Sequence, residues 1–190
     1  MKKSPIFMLL LILPLFSCTF YSLVPENTTL NVSDAYRVKI EAPWNARTLG
    51  SAVILTQYGQ NLDSLVFFYP AGDGQPPLTV VTEHGKKMPS FKKTMTMVEF
   101  PELLKSSLAN IGYLDIQIER MEPSVLDEIK ALRIDFQMKT EHGPQLKCFA
   151  FMGTRKEKLY AILFTAEKST YFPLVSSNAE KVIASLNLIN

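Results

Sequence analysis

Histidine and cysteine are scarce, with two of each in 190 residues. Nucleophilic catalysis of the Ser-His-Asp kind needs a histidine oriented by a carboxylate and touching a nucleophile, and only His84 and His142 are on offer. Both fall in segments that read as turns. A zinc site needs three or four converging ligands, and the sequence has no closely spaced pair of the required type. Gly50-Ser51 lacks the flanking glycines of a nucleophile elbow, and no glycine-rich phosphate cradle of either standard spacing is present. An excess of one charge is missing too. Removing residues 1–17, which hold Lys2 and Lys3 and no acid, leaves 18 basic against 18 acidic residues. That balance argues against a dedicated nucleic-acid binder, whose affinity rests on many phosphate contacts. What the chain does have is enough apolar content, 47% against 20% charged, to bury a core of one domain.

The most specific passage is the start. Met1-Lys2-Lys3 is a basic head, Ile6 to Phe16 is apolar apart from Pro14, and Leu15-Phe16-Ser17-Cys18 follows directly. The order is that of a secretory signal over residues 1–17. A large apolar residue three before a cysteine, with a small residue just before it, resembles the lipobox of bacterial lipoproteins. The resemblance implies that the Cys18 thiol receives a diacylglycerol and becomes the acylated N-terminus, since a thiolate is the nucleophile the thioether chemistry needs. Several acyl chains give stable anchoring at about 0.8 kcal/mol per buried CH₂. In Gram-negative lipoproteins an Asp after the cysteine tends to hold the protein at the inner membrane. Here the residue is Thr19, which favours the periplasmic face of the outer membrane. Two other readings stay open: ordinary cleavage near Ser17-Cys18-Thr19, and a retained anchor over the uncharged stretch Ser4 to Pro25, diluted by Pro14, Ser17, Thr19 and Ser22.

Residues 18–33 read as the lipidated N-terminus and a tether, and residues 34–190 as one domain. Tyr36, Val38 and Ile40 alternate with charged residues, so a half-buried strand is expected there, ended by Pro43-Trp44. Ser51 to Tyr58 and Leu62 to Tyr69 form a hairpin around Gly59-Gln60-Asn61, and Pro70 to Pro77 a surface loop. Leu78 to Val81 is a short strand, and His84 to Lys93 a basic loop with Lys86, Lys87, Lys92 and Lys93. Phe100, Leu103, Leu104, Leu108 and Ile111, with Pro101 early and Gly112 at the end, predict an amphipathic helix. Strands follow over Leu114 to Ile118, Leu132 to Met138, Gln145 to Gly153 and Leu159 to Thr165. A terminal helix holds Ala179, Val182, Ile183 and Leu186, started either by a capping box at Ser177-Asn178-Ala179-Glu180 or earlier, at Pro173. The pattern is α+β: an antiparallel sheet with amphipathic helices packed on it, after an N-terminal signal segment.

The run Lys158 to Ala166, the aromatic pair Tyr171-Phe172 and a terminal helix with Ser185-Leu186 resemble the closing strand and helix of the PsbP-like α/β sandwich. Pro43-Trp44-Asn45, Thr56-Gln57-Tyr58-Gly59 with Leu62-Asp63, and Ala71-Gly72-Asp73-Gly74-Gln75 extend the likeness to bacterial lipoproteins of uncharacterised function. It covers residues 34–187, and its motifs are turns and core positions that specify a shape without specifying chemistry. It implies docking through surfaces, as PsbP-like proteins tend to do.

Individual side chains divide between bland and functional readings. Cys148 alternates with Lys147 and Phe149 and reads as a small buried hydrophobe. Asp73 between two glycines lacks the repeated oxygen ligands of a calcium site and reads as a turn. Trp44 either covers a sheet edge or lines a groove, and with Tyr69 and Asp73 marks the expected ligand or partner surface. The lysine loop either touches anionic lipid or is simply solvated. Three functions remain open: a non-catalytic lipoprotein binding another envelope component, a periplasmic small-ligand binder, and an enzyme built on His84 or His142. None calls for a cofactor. The anchor is checked by mass spectrometry of the mature N-terminus, which should begin at Cys18 and carry acyl mass; a chain beginning at Phe20 or retaining Met1 refutes it.

Overall fold

A computed structural model of the chain describes residues 21–79 and 87–189. Among the described residues eleven strands and two α-helices follow in the order β1 (Ser22–Val24), β2 (Thr28–Val32), β3 (Tyr36–Ile40), β4 (Trp44–Leu49), β5 (Ala52–Thr56), β6 (Asp63–Phe68), α1 (Phe100–Asn110), β7 (Leu114–Leu126), β8 (Ile129–Lys139), β9 (Gln145–Arg155), β10 (Lys158–Glu167), α2 (Tyr171–Ala184) and β11 (Asn187–Leu188). Eight strands form one sheet in the order β1-β4-β5-β6-β10-β9-β8-β7, and β11-β3-β2 form a small second sheet. Pairing within both is antiparallel.

The central strands are apolar on both faces, so both must be covered. On β10, Tyr160, Ile162 and Phe164 point into one core and Leu159, Ala161 and Leu163 into another. Phe149 and Phe151 against Cys148, Ala150 and Met152 divide β9 in the same way. The first core is closed by α2, through Val175, Ala179, Val182 and Ile183, and by the small sheet, through Val32, Tyr36, Val38 and Ile40. The second is closed by α1, through Phe100, Leu103, Leu104 and Leu108, together with Leu78 and Phe91. The result is a three-layer α+β arrangement with the large sheet in the middle.

Turn chemistry explains the conspicuous motifs. Asp63 is buried at the start of β6, and its carboxylate accepts from the Thr56 hydroxyl at 3.1 Å and the backbone N–H groups of Gln57 at 2.8 Å and Tyr58 at 2.7 Å. The Gly59 N–H donates to Thr56 Oγ1, and Gly59 itself takes a positive φ of 112° that side chains rarely adopt. Burial raises the Asp63 pKa despite these donors, so the stability it contributes is full below the ordinary aspartate value and declines as pH rises through the raised one.

Several expectations are corrected. Ser22–Val24 and Thr28–Val32, read as tether, are strands of the two sheets. In β2 the inward positions Thr28, Leu30 and Val32 do alternate, but the polar Thr and Asn between them dilute the signal. Trp44 opens a strand that the reading omitted, pairing with Val24 on one side. Leu78 and Thr79 are not in a strand, and the rest of that run lies outside the described residues, as does His84. Strand β7 continues through Glu119 to Leu126, because an edge strand with one side in water carries charges without breaking its ladder. Helix α2 begins at Tyr171, so Pro173 sits in its first turn, where no intrahelical N–H bond is lost, and Ser177–Glu180 is helix interior. The helix read over Phe100 to Ile111 matches α1, and its Leu104 and Leu108 are buried. Replacing Leu104 with Ala should therefore cost about 2–5 kcal/mol in chemical denaturation; a change under about half a kcal/mol, the range typical of surface positions, rejects this packing.

Candidate functional site

The residues singled out from sequence are not brought together. Trp44 is fully buried in the α2 core and offers no groove wall or partner surface, which corrects that reading. Following Pro43 it looked like an edge residue, yet its position in β4 turns the indole inward. Its Nε1–H has no hydrogen-bond partner among the described residues, a loss of roughly 1–3 kcal/mol that the packing of the ring offsets. Tyr69 is partly exposed beside a small hollow with Ser22, Leu30 and Arg47. Asp73 is spent on structure: its carboxylate accepts the Lys93 backbone N–H at 2.9 Å, while Gly74 and Gln75 exchange backbone bonds with buried Phe91. This loop fastens the segment before α1 to the sheet.

The chemistry-bearing groups are equally dispersed. His142 is 89% exposed in the β8–β9 turn, with Glu141 3.9 Å away. Cys148 is buried on the α1 face, as its alternation predicts, and burial, reinforced by the charge of Glu119, pushes its thiol well above the usual range. The neutral thiol is a poor nucleophile. No group of three or more His, Cys, Asp or Glu is placed to hold a metal among the described residues.

Concave space lies elsewhere. On the α1 side, where α1 ends, an open cleft of about 740 Å³ sits over β5, β6 and β10. Its floor is Ala52, Ile54, Val66, Phe68 and Leu163, interrupted by Ser64 and Thr165. Those two residues are directly opposite in the β6–β10 ladder and their hydroxyls are 2.9 Å apart. Two hydroxyls hold two O–H donors, and one bond between them uses one. The other O–H has no acceptor among the described residues. Ile111 to Tyr113 at the α1 exit and the neighbouring Thr140–Pro144 turn also line it. In that turn Gly143 lies so close to the Thr140 hydroxyl that a Cβ would not fit. Burial raises the Tyr113 pKa, keeping the phenol a neutral donor. The sequence did signal this site, since Ser64 and Thr165 are polar interruptions in otherwise apolar runs, but only the strand register shows that they meet.

The far edge of the same sheet is built differently. Strand β7 exposes Met121 and Val125, yet its ladder is broken by irregularities after Leu114 and Ile118, and Pro123 removes one edge donor. Arg120 pairs with Asp135 at 2.7 Å and Glu122 at 3.5 Å. These are the devices that keep an edge strand from recruiting another chain. Arg133, stacked on Phe149 with its guanidinium 4.8 Å from the ring centre, continues the network to Glu180 of α2 at 2.7 Å and so ties the helix to the sheet. Among the described residues no helix is long and apolar enough to cross a membrane.

No protein-family model matches the sequence, and no curated protein matches it. Among solved structures, the chain is similar to cyanobacterial PsbP (CyanoP) from Synechocystis, with a TM-score of 0.53 at 13% identity over 92% of this chain and 99% of that one. LpqN of Mycobacterium tuberculosis, a protein involved in cell envelope biogenesis, aligns over 90% of this chain and 92% of its own at 10% identity, with a TM-score of 0.38. The first similarity shows that the fold is PsbP-like. Burial of the single tryptophan gives a direct check of the arrangement described here: native emission should be blue-shifted and resist quenching by iodide, and ready quenching would place Trp44 at the surface.

Proposed function

We propose that the protein is a non-catalytic lipoprotein of the bacterial envelope, anchored through acylated Cys18 on the periplasmic face of the outer membrane, where it binds or supports another envelope component. The observation that carries this reading is the junction between anchor and domain. The lipobox-like Leu15-Phe16-Ser17-Cys18 ends three positions before Tyr21, and Tyr21 already belongs to the folded body: its hydroxyl donates to Gln60 Oε1 at 2.8 Å and its ring faces the Arg47 guanidinium. Three residues span at most about 11 Å. A domain so tied works at the bilayer surface, with one edge of its large sheet held next to the headgroups.

The dispersal of His142, Cys148 and Asp73 supports a binding role over a catalytic one. Their side chains are respectively in solvent, in the core, and committed to a loop. The PsbP-like fold agrees with that role by analogy alone.

Two variants test the proposal in cells. Wild-type protein and the His84→Ala/His142→Ala double variant should both fractionate with the outer membrane, incorporate a palmitate analogue and complement a deletion strain. Cys18→Ser should lose the label and the complementation while the domain keeps its melting temperature. Loss of complementation in the folded double-histidine variant would reinstate an enzyme, and full complementation by Cys18→Ser would remove the anchor from the account.

A further inference from the structure

The cleft over β5, β6 and β10 has a composition that selects its ligand. Its floor is apolar, and among the described residues lining it the acidic and basic side chains are Glu141 and His142, both at the rim. Among the described residues neither Lys nor Arg lines it, so the described lining offers a phosphate or a carboxylate no counter-charge. The polar groups it does offer are neutral hydroxyls. Among the described residues one O–H of the Ser64–Thr165 pair stands without an acceptor, in residues each 93% buried, and Tyr113 in the wall has no hydrogen-bond partner. Such a floor matches a long hydrocarbon chain whose single carbonyl accepts from a hydroxyl. The volume is that of a site for a molecule of this size.

The position of the cleft says where that chain comes from. Gln60, which holds the Tyr21 hydroxyl, also lines the cleft, as do its neighbours Asn61 and Leu62. The mouth therefore lies beside the point at which the chain leaves for Cys18. We propose that this cleft takes up one acyl chain of a bilayer lipid, with its ester carbonyl on the Ser64–Thr165 hydroxyls. As to the source of the lipid, the proposal rests on the anchored reading given above. The headgroup stays outside, next to the polar rim of Gln60, Asn61 and Thr140.

The test uses the full mature protein in phosphatidylethanolamine vesicles doped with a phosphatidylethanolamine that carries a diazirine in its acyl chain. After photolysis, labelled peptides should map to β6 and β10. Val66 is partly exposed on the cleft floor, and Val66→Trp should fill the space and lower that labelling about tenfold, equivalent to roughly 1.4 kcal/mol. Should Val66→Trp fail to fold, Ser64→Ala/Thr165→Val, which removes the hydroxyls at nearly constant volume, should also lower it. Labelling restricted to the residues beside Cys18, or unchanged in both variants, overturns the proposal. A separate arm measures fluorescent fatty-acid ester binding without vesicles, alongside the intact mass of the N-terminus. Acyl mass on Cys18 without ester binding sinks the cleft alone, whereas ester binding that the variants abolish in a chain lacking acyl mass sinks the anchor alone.

Discussion

The large sheet has to be dry on both faces, and most of the remaining architecture answers to that constraint. A strand such as β10 with Tyr160, Ile162 and Phe164 on one side and Leu159, Ala161 and Leu163 on the other cannot leave either side in water. Each apolar side chain of this size stabilises the fold by about 1.5–3 kcal/mol when fully buried. One helix cannot cover an eight-stranded sheet, so α2 shares its face with the three-stranded sheet. On the other face α1 shares the work with Leu78 and the segment around Phe91. Among the described residues that cover stops short, and the cleft is what it leaves open. Its apolar floor follows from the sheet, while its two hydroxyls are a local departure from the apolar pattern.

Polar groups inside the fold are placed where they fix geometry. Asp63 gathers three donors and so sets the β5–β6 turn that carries Gln60 and Asn61 to the cleft rim. The Tyr36 hydroxyl reaches the carbonyl of Phe68 at 2.8 Å and joins the small sheet to the large one. Desolvation pushes the Tyr36 pKa far up, so the phenol stays a donor. Arg133 spends its charge on Asp135 and Glu180 and its flat face on Phe149 and Phe151. At the two edges the sheet ends differently, with the short β1 at one and the bulged, charged β7 at the other.

The class of fold was legible because strong periodicity over Phe100 to Ile111 and clean alternation in Tyr36 to Ile40 both report burial on one side. Cys148 was placed correctly for the same reason. Strands that are short or largely polar were harder. Strand β2 mixes Thr and Asn into its alternation, and most of β7 is exposed, so neither shows the contrast a pattern needs. Trp44 misled because an aromatic after proline suggests an edge, and only the pairing of β4 with β1 and β5 shows that it is internal. The cleft could not be found at all without register, since Ser64 and Thr165 are 101 positions apart.

Tyr21 at the sheet edge holds Gln60 of the cleft rim, and with Cys18 acylated as proposed this adjacency would fix how the domain meets the membrane. The edge strand β7 lies seven strand spacings from β1, about 34 Å away. With Cys18 acylated as proposed and Cys148 buried, a single new cysteine can be labelled selectively. Donor probes at Asn61→Cys and at Gln117→Cys, both exposed positions, would be compared by energy transfer to an acceptor in the lipid headgroups of vesicles carrying the mature protein. The account predicts clearly greater transfer from position 61. Equal transfer from the two positions, or greater transfer from position 117, would contradict it.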